Sequence, residues 1–339
     1  DMIKAAKKHA GPGLSGYRTH HWRDALTVDN TKGDLQEELA KVITLICEGF
    51  VPFQLLPYLH GGRGGIQGEK RLFIASDSLI RIVEAWVKRQ IVAKYKVRKL
   101  FEHGVGIGVK GAADVLQHRI GTFMQEARDA GVVDPVLIEV DAVNMFHSLK
   151  RDALIRMAAA EYPEMLPLMR GLMCPHFISF FNGTLWEQST SGVSIGSGMA
   201  ALLASLAAER IMKDLMTQIT EGGKFARCVA YIDNTMFVVP AADAQEIVTK
   251  LNHKANLVGL SYALRPAQPH KVLFISNPQT DQNQGMIALD AKKIFRSWNI
   301  TAMEGTTVRE TSGRSLGNIA GGIKSKGGLA GDDEYLKQM

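Results

Sequence analysis

Cysteine is scarce in this chain of 339 residues, and it does not form a metal-binding or disulfide pattern. Cys47, Cys174 and Cys228 are odd in number, lie far apart and show neither C-x-x-C nor Cys/His ligand spacing. Both a disulfide framework and a structural zinc site are therefore disfavoured. We expect an intracellular protein in a reducing compartment.

Long apolar runs are also missing. No stretch approaches the roughly 20 apolar residues that a helix needs to cross a lipid bilayer, and the N-terminus lacks the pattern of a signal peptide. Internal repeats and low-complexity tracts are absent as well. The sequence therefore predicts a large folded core without a membrane partner. Its abrupt start at Asp1 and end at Met339 predict a piece of a longer polypeptide.

No strong excess of charge marks the chain as a whole, because 40 basic residues are set against 34 acidic ones, for a formal charge of +6. The positive charge is concentrated late in a helix predicted from residue 78 to about residue 100, where Trp86 and Tyr95 are interleaved with cations. A nucleic-acid-binding surface and an ordinary solvated helix both account for this basic cluster. Its cations are Lys88, Arg89, Lys94, Lys96, Arg98 and Lys99.

Two glycine-rich segments approach phosphate-binding patterns. Residues 106–111 match the dinucleotide pattern G-x-G-x-x-G, but they follow a basic helix rather than an apolar strand, and no ribose-binding acid follows at the expected distance. We therefore expect no nucleotide cofactor there. Residues 61–68 lead into Lys70 and Arg71. This segment is either a mobile hairpin tip or a backbone that approaches a ligand, with the basic pair on phosphates.

Two apolar stretches that contain carboxylates stand out in the remaining sequence. Residues 230–238 form an apolar run interrupted by Asp233 and Asn234, which is typical of a β-hairpin with polar residues at its tip. Residues 135–141 form an apolar run that ends at Asp141. Two strands that each deliver a carboxylate to one end of a sheet can hold a divalent metal ion.

Ordered motifs surround these two stretches. Residues 141–151 are similar to the pattern D-x-x-N-A-F-N-x-x-x-R, with departures at Met145 and His147. Residues 192–196 are similar to G-V-x-Q-G, with Ile195 in place of glutamine.

The hairpin stretch belongs to the same series. Residues 231–234 are similar to Y-x-D-D, with Asn234 in place of the second aspartate. Further similar segments lie at residues 11–16, 70–74, 104–112 and 331–335. In this order, and over nearly the whole chain, the motifs resemble the reverse transcriptase domain of non-LTR (LINE-type) retroelements.

The resemblance implies an α+β fold of the right-hand polymerase type. It has fingers and a ferredoxin-like βαββαβ palm, and most of the thumb is absent. Residues 1–130 would form the fingers with an N-terminal extension, and residues 131–280 the palm, with a fingers insertion around 162–190. Residues 281–339 would hold the end of the palm and the start of the thumb or connection.

The resemblance also implies RNA-templated DNA synthesis by two-metal nucleotidyl transfer on an RNA template, a DNA primer and deoxynucleoside triphosphates. Asp141, Asp233 and the backbone carbonyl of Ala142 would hold two Mg²⁺ ions, or Mn²⁺ in their place. Asn234 occupies the remaining catalytic position, and Phe146 would be the steric gate against ribose. The other residues implied to bind the nucleotide are Lys70, Arg71, Gly196 and Lys271.

Asn234 and Ile195 leave an alternative open. An asparagine removes one negative charge beside the metal ions but keeps a carbonyl oxygen, so metal binding would be weakened. The sequence does not distinguish a natural change at Asn234 from an engineered one. The alternative is a catalytically inactive, domesticated domain that binds RNA or has a structural role among other proteins of a ribonucleoprotein. For either function we expect the nucleus or the mitochondrion.

Overall fold

The computed structural model describes residues 11–28, 32–67, 71–133, 135–180 and 185–262, together with Ile3 and two later strands, Gly322–Ser325 and Gly328–Gly331. Within these ranges, no helix combines the length and the apolar character needed to cross a membrane.

The chain divides into two compact units. Unit 1 combines residues 1–96 with residues 146–204, and unit 2 combines residues 97–145 with residues 205–339. Each unit is thus built from two separate stretches of chain. The two stretches of each unit meet because residues distant in sequence pair with one another in its sheet.

Runs of one to three α-helices are separated by one or two strands along the described chain. In chain order, the α-helices within the described residues are α1 (Thr19–Ala25), α2 (Lys32–Cys47), α3 (Leu56–Leu59), α4 (Ser78–Tyr95), α5 (Val97–Leu100), α6 (Ala112–Asp129), α7 (Met145–Ser148), α8 (Arg151–Glu161), α9 (Leu166–Leu172), α10 (Ala200–Glu221) and α11 (Ala244–Leu257). The strands are β1 (Gly62–Gln67), β2 (Arg71–Ser76), β3 (Pro135–Asp141), β4 (His176–Phe180), β5 (Leu185–Ser189), β6 (Arg227–Tyr231), β7 (Asn234–Pro240), β8 (Gly322–Ser325) and β9 (Gly328–Gly331).

Unit 1 contains a four-stranded sheet in the order β2-β1-β4-β5. Strands β4 and β5 pair antiparallel, and the loop between them lies outside the described residues. The glycines of β1 are needed for close packing. A side chain at Gly64 would come within 2.1 Å of the Phe180 ring, and one at Gly65 within 2.5 Å of the Phe73 ring. The glycine-rich segment is therefore a strand packed against aromatic rings.

Unit 2 contains an antiparallel sheet in the order β3-β7-β6. Single bridges extend it on both sides, because Tyr262 pairs antiparallel with Ala142 and Gly104 pairs parallel with Ala230. The resulting order across the sheet is Tyr262, β3, β7 and β6.

The core of unit 2 lies between this sheet and α6. The helix contributes Leu116 and Ile120, both at most 2% exposed, against Leu137 of β3 and Met236 of β7. Strand β3 is buried along its length up to Asp141, which is half-buried. A fully buried strand that ends on a half-exposed carboxylate places that carboxylate at the edge of the core.

Candidate functional site

The hairpin between β6 and β7 presents Asp233 next to the end of β3. Tyr231 pairs directly with Asn234, so the loop consists of Ile232 and Asp233 alone. The sequence predicts Asp233 and Asn234 at the tip of the hairpin, whereas in the structure Asn234 is the first residue of β7. The turn requires a positive φ at Ile232, of 55°, which is unfavourable for a β-branched side chain and marks local backbone strain.

Asp141 lies across the ladder from this turn. It pairs with Asn234, and the next backbone amide, that of Ala142, donates to the carbonyl of Asp233 over 2.8 Å. The three residues predicted to hold metal ions are therefore neighbours at one end of the sheet. Asp141 and Asp233 are both half-buried, and Ala142 is buried.

Tyr262 is buried beside this end of the sheet, where it pairs with Ala142. Burial raises the pKa of its phenol well above the usual value, a hydrogen bond with Thr235 opposes this, and the nearby Cys228, Asp141 and Asp233 raise the pKa further. The Ala142 amide joins the end of β3 to Asp233, so the carboxylates of Asp141 and Asp233 lie at the same edge of the sheet.

The donor set fits magnesium. Carboxylate and backbone carbonyl oxygens are hard ligands, and Mg²⁺ is commonly held by one or two carboxylates together with substrate phosphates. Asp141 and Asp233 would supply the two carboxylates, and Ala142 would supply the carbonyl. Among the residues that the structure describes, no group of three His, Cys, Asp or Glu side chains is arranged to hold a metal ion.

The side chain of Asn234 is buried against the neighbouring strand. It is 1% exposed, and Nδ2 donates to Oε1 of Glu139 over 2.9 Å. The amide thus forms a hydrogen bond with a buried carboxylate on the neighbouring strand. Glu139 was not among the predicted site residues. It lies two residues before Asp141, and this spacing puts both side chains on one face of β3.

A second buried acid, Glu209 of α10, holds the segment that supports the hairpin. Its carboxylate accepts from the backbone amides of Glu102, His103 and Gly104 at 2.9–3.2 Å, and it lies 2.9 Å from Nδ1 of His103. Burial opposes ionisation of Glu209, but these interactions outweigh it and lower its pKa. An acid within the apolar helix α10 is the signal that could have predicted this contact.

The held segment then lines the edge of β6 and meets the turn. The amide of Ala230 donates to the carbonyl of His103, and the amide of Val105 donates to the carbonyl of Ala230. A side chain at Gly106 would lie 2.6 Å from Cγ1 of Ile232 and 2.9 Å from its backbone nitrogen. Gly106, the first glycine of the segment that matches the dinucleotide pattern, therefore packs against the hairpin.

In unit 1, the predicted gate residue and the glycine loop are neighbours. Phe146 lies in α7, where its carbonyl accepts from the amide of Val193 over 2.7 Å. A side chain at Gly196 would reach 2.1 Å from the carbonyl oxygen of Ile74, and the amide of Ile74 donates to the carbonyl of Ile195 over 2.9 Å. Backbone contacts thus hold the loop against strand β2. Gly196 itself is exposed.

Arg151 binds the beginning of the glycine loop, at Ser191 and Gly192. Its buried guanidinium donates to the carbonyls of Cys174, Ser189, Ser191 and Gly192 and to the Ser189 hydroxyl, over 2.9–3.1 Å. The arginine at the end of the first motif therefore has a structural explanation in this chain.

A small cavity of about 20 Å³, lined by both apolar and polar side chains, lies behind the loop in unit 1. Burial raises the pKa of Glu84 to about 7, although its carboxylate accepts from the amide of Gly198. His60 and His176 also line the cavity, and burial lowers the pKa of each ring to about 4. These groups lie beneath the start of α10.

The basic cluster does not lie on one continuous helix. Helix α4 ends at Tyr95. Lys96 follows with a φ of 56°, which is outside the helical range, and separates α4 from α5. Lys94 forms an ion pair with Glu164 over 2.9 Å. Lys88 is half-buried, and the other cations with described side chains, Arg89, Lys96 and Lys99, are exposed. Lys70 and Lys271 lie outside the described residues, as do the side chains of Arg71 and Arg98.

Comparison with known proteins gives matches among solved structures alone, since no family model and no curated protein matches the chain. The chain is similar to apo telomerase from Candida tropicalis truncated from the C-terminal domain, with 12% identity and a TM-score of 0.48, over 65% of this chain and 54% of that one. It is also similar to telomerase from Candida albicans in complex with the TWJ fragment of telomeric RNA, with 9% identity and a TM-score of 0.48, over 62% and 43%. The chain thus spans about half of each telomerase chain.

Proposed function

We propose that this chain is a reverse-transcriptase-like domain of the non-LTR type that catalyses RNA-templated DNA synthesis by two-metal nucleotidyl transfer. One observation carries the proposal. The end of β3 and a strained two-residue turn bring Asp141 and Asp233 together at the end of a βαββαβ sheet.

Each residue has a separate role in the proposed reaction. Asp141, Asp233 and the carbonyl of Ala142 would hold two Mg²⁺ ions, or Mn²⁺ ions. These, when bound, activate the primer 3′-hydroxyl and neutralise the triphosphate. Phe146 would exclude the ribose 2′-hydroxyl and so favour deoxynucleotides. The residues assigned to the nucleotide and its phosphates are Lys70, Arg71, Gly196 and Lys271, and those assigned to the template or primer backbone are Lys88, Arg89, Lys94, Lys96, Arg98 and Lys99.

A second function is an inactive domain that binds RNA or supports the assembly of a ribonucleoprotein. The burial of Asn234 against Glu139 favours it, because position 234 offers no carboxylate to a metal ion. Both functions place the protein with RNA inside the cell, in the nucleus or the mitochondrion.

Primer extension distinguishes the two functions. We expect the chain to extend a DNA primer on an RNA template with deoxynucleotides and Mg²⁺ or Mn²⁺. Asp141→Asn should lower the rate about a hundredfold or more, because a metal ligand contributes several kcal/mol of charge stabilisation. Asp214→Asn, at an exposed position of α10, is the matched control and should leave the rate unchanged.

Phe146→Ala tests the assignment of the gate, since incorporation of ribonucleotides should rise relative to deoxynucleotides. If the chain binds the RNA template but extends no primer with either metal ion, the polymerase proposal is wrong and the RNA-binding function is supported.

A further inference from the structure

Glu139, Asp141 and Asn234 lie on one face of the β3–β7 ladder. Asp141 and Asn234 are direct partners, and Glu139 is two residues before Asp141 on the same strand. Glu139 is 8% exposed and Asn234 is 1% exposed, and a hydrogen bond of 2.9 Å joins them across the strands. The site therefore contains a third acidic side chain at position 139 and a neutral amide at position 234.

The two positions depend on each other chemically. A buried carboxylate needs a donor, and the amide of Asn234 supplies one. An aspartate at position 234 would instead set two carboxylates against each other where the hydrogen bond now lies, with mutual repulsion in a poorly solvated place. Glu139 thus accounts for the asparagine that stands in place of the second aspartate of the Y-x-D-D pattern.

We propose that Glu139 carries the third negative charge of this site, relocated across the strand pair from position 234, and that Asn234 orients it. Glu139 is a positioning residue in this arrangement. It acts on cations at Asp141 and Asp233 through its charge. The part of this inference that concerns cations rests on the proposed function, whereas the pairing does not.

The pairing is tested without metal by urea unfolding at pH 8 of the full chain and of the variants Glu139→Gln, Asn234→Asp and the swap that combines them. Asn234→Asp should be strongly destabilised, because two carboxylates face each other. The swap should recover most of the lost stability, because the Gln amide now donates to the Asp carboxylate. We expect a coupling of about tenfold or more in the unfolding equilibrium constant.

Additive effects of the two substitutions would overturn the pairing. If Asn234→Asp does not fold, the swap is decisive: a folded swap with a midpoint near that of the wild type supports the pairing, and an unfolded swap overturns it.

The charge is tested by Mn²⁺ binding, followed by electron paramagnetic resonance without nucleic acid. Glu139→Gln should weaken binding about tenfold, and the swap should return it to within about threefold of the wild type. Glu221→Gln removes the same charge from an exposed position in unit 2 and should change little. Asp141→Asn should abolish the signal that comes from this site.

Unchanged affinity in Glu139→Gln would overturn the relocated charge while leaving the proposed function intact. If the wild type binds no Mn²⁺, the metal site of the proposed function fails together with the relocated charge. The unfolding cycle still tests the pairing in that case.

Discussion

Replacing Gly106 by alanine tests whether the supporting segment positions the acidic turn. The added methyl group would lie 2.6 Å from Cγ1 of Ile232 and 2.9 Å from its backbone nitrogen, and ordinary contacts begin at 3.4 Å. The turn must therefore move by about 0.5 Å or more, or the chain must bear the overpacking, which typically costs about 1–3 kcal/mol.

The expected consequence is a loss of rate larger than the loss of stability explains. A displacement of about 1 Å in a reacting geometry can cost about a hundredfold, so a movement half as large should lower the rate of primer extension about tenfold. Single-turnover extension at saturating nucleotide measures this rate. Urea unfolding of the same sample measures the stability.

Two further variants complete the test. Gly121→Ala is the matched control, because nothing lies within 4 Å of its new methyl group in α6. It should raise helix stability by up to about 1 kcal/mol and leave the rate unchanged. Adding Ile232→Ala to Gly106→Ala removes the closest contact and should restore part of the rate. If Gly106→Ala extends primers at the wild-type rate, the turn is not positioned by this segment.

Three other substitutions or conditions have measurable outcomes. Glu209→Gln should destabilise the chain by about 2–3 kcal/mol, because a neutral amide cannot accept the bonds of a charged carboxylate equally well. Amide exchange at Ala230 should also become faster, and an unchanged exchange rate would contradict the role of Glu209. Arg151→Lys should cost about 2–4 kcal/mol in urea unfolding, since an ammonium group cannot reach the same set of carbonyls. A smaller loss than that of an exposed Arg89→Lys control would refute the fastening role of Arg151. Below pH 6.5 the free energy of unfolding should fall toward pH 4, because unfolded histidines bind protons while His60 and His176 stay neutral to about pH 4. Glu84 acts in the opposite direction, since its pKa of about 7 removes stability as the pH rises from 4.5 to 7. The two effects oppose each other over nearly the same pH range, so His176→Asn should flatten the fall in stability between pH 6.5 and pH 4, whereas Glu84→Gln should steepen it.

The elements around the site were predictable because their signals are local. An apolar run predicts β3 up to Asp141, and the structure has this strand at Pro135–Asp141. The hairpin was predicted as well, but its tip was placed one residue too late. Local preference disfavours Ile232 at positive φ, and the tight two-residue turn, which lies close against Gly106, requires it in the folded chain.

The basic helix shows a second limit of local patterns. The cations continue through Lys96, so composition predicts one helix to about residue 100. The structure breaks there, and the two compact units divide between Lys96 and Val97. Such a break depends on the packing of each side, which the charge pattern does not contain.

The sequence by itself determined which chemical groups are available and the order in which they occur. These groups are two aspartates at strand ends, an aromatic residue five positions after the first aspartate, and glycine loops between helices. Only the tertiary structure decided what Asn234 does. Its partner, Glu139, is 95 residues away in sequence, and the pair meets because of the register between β3 and β7. A shift of one residue in that register would turn these side chains to opposite faces, so the role of the amide follows from the pairing of the strands.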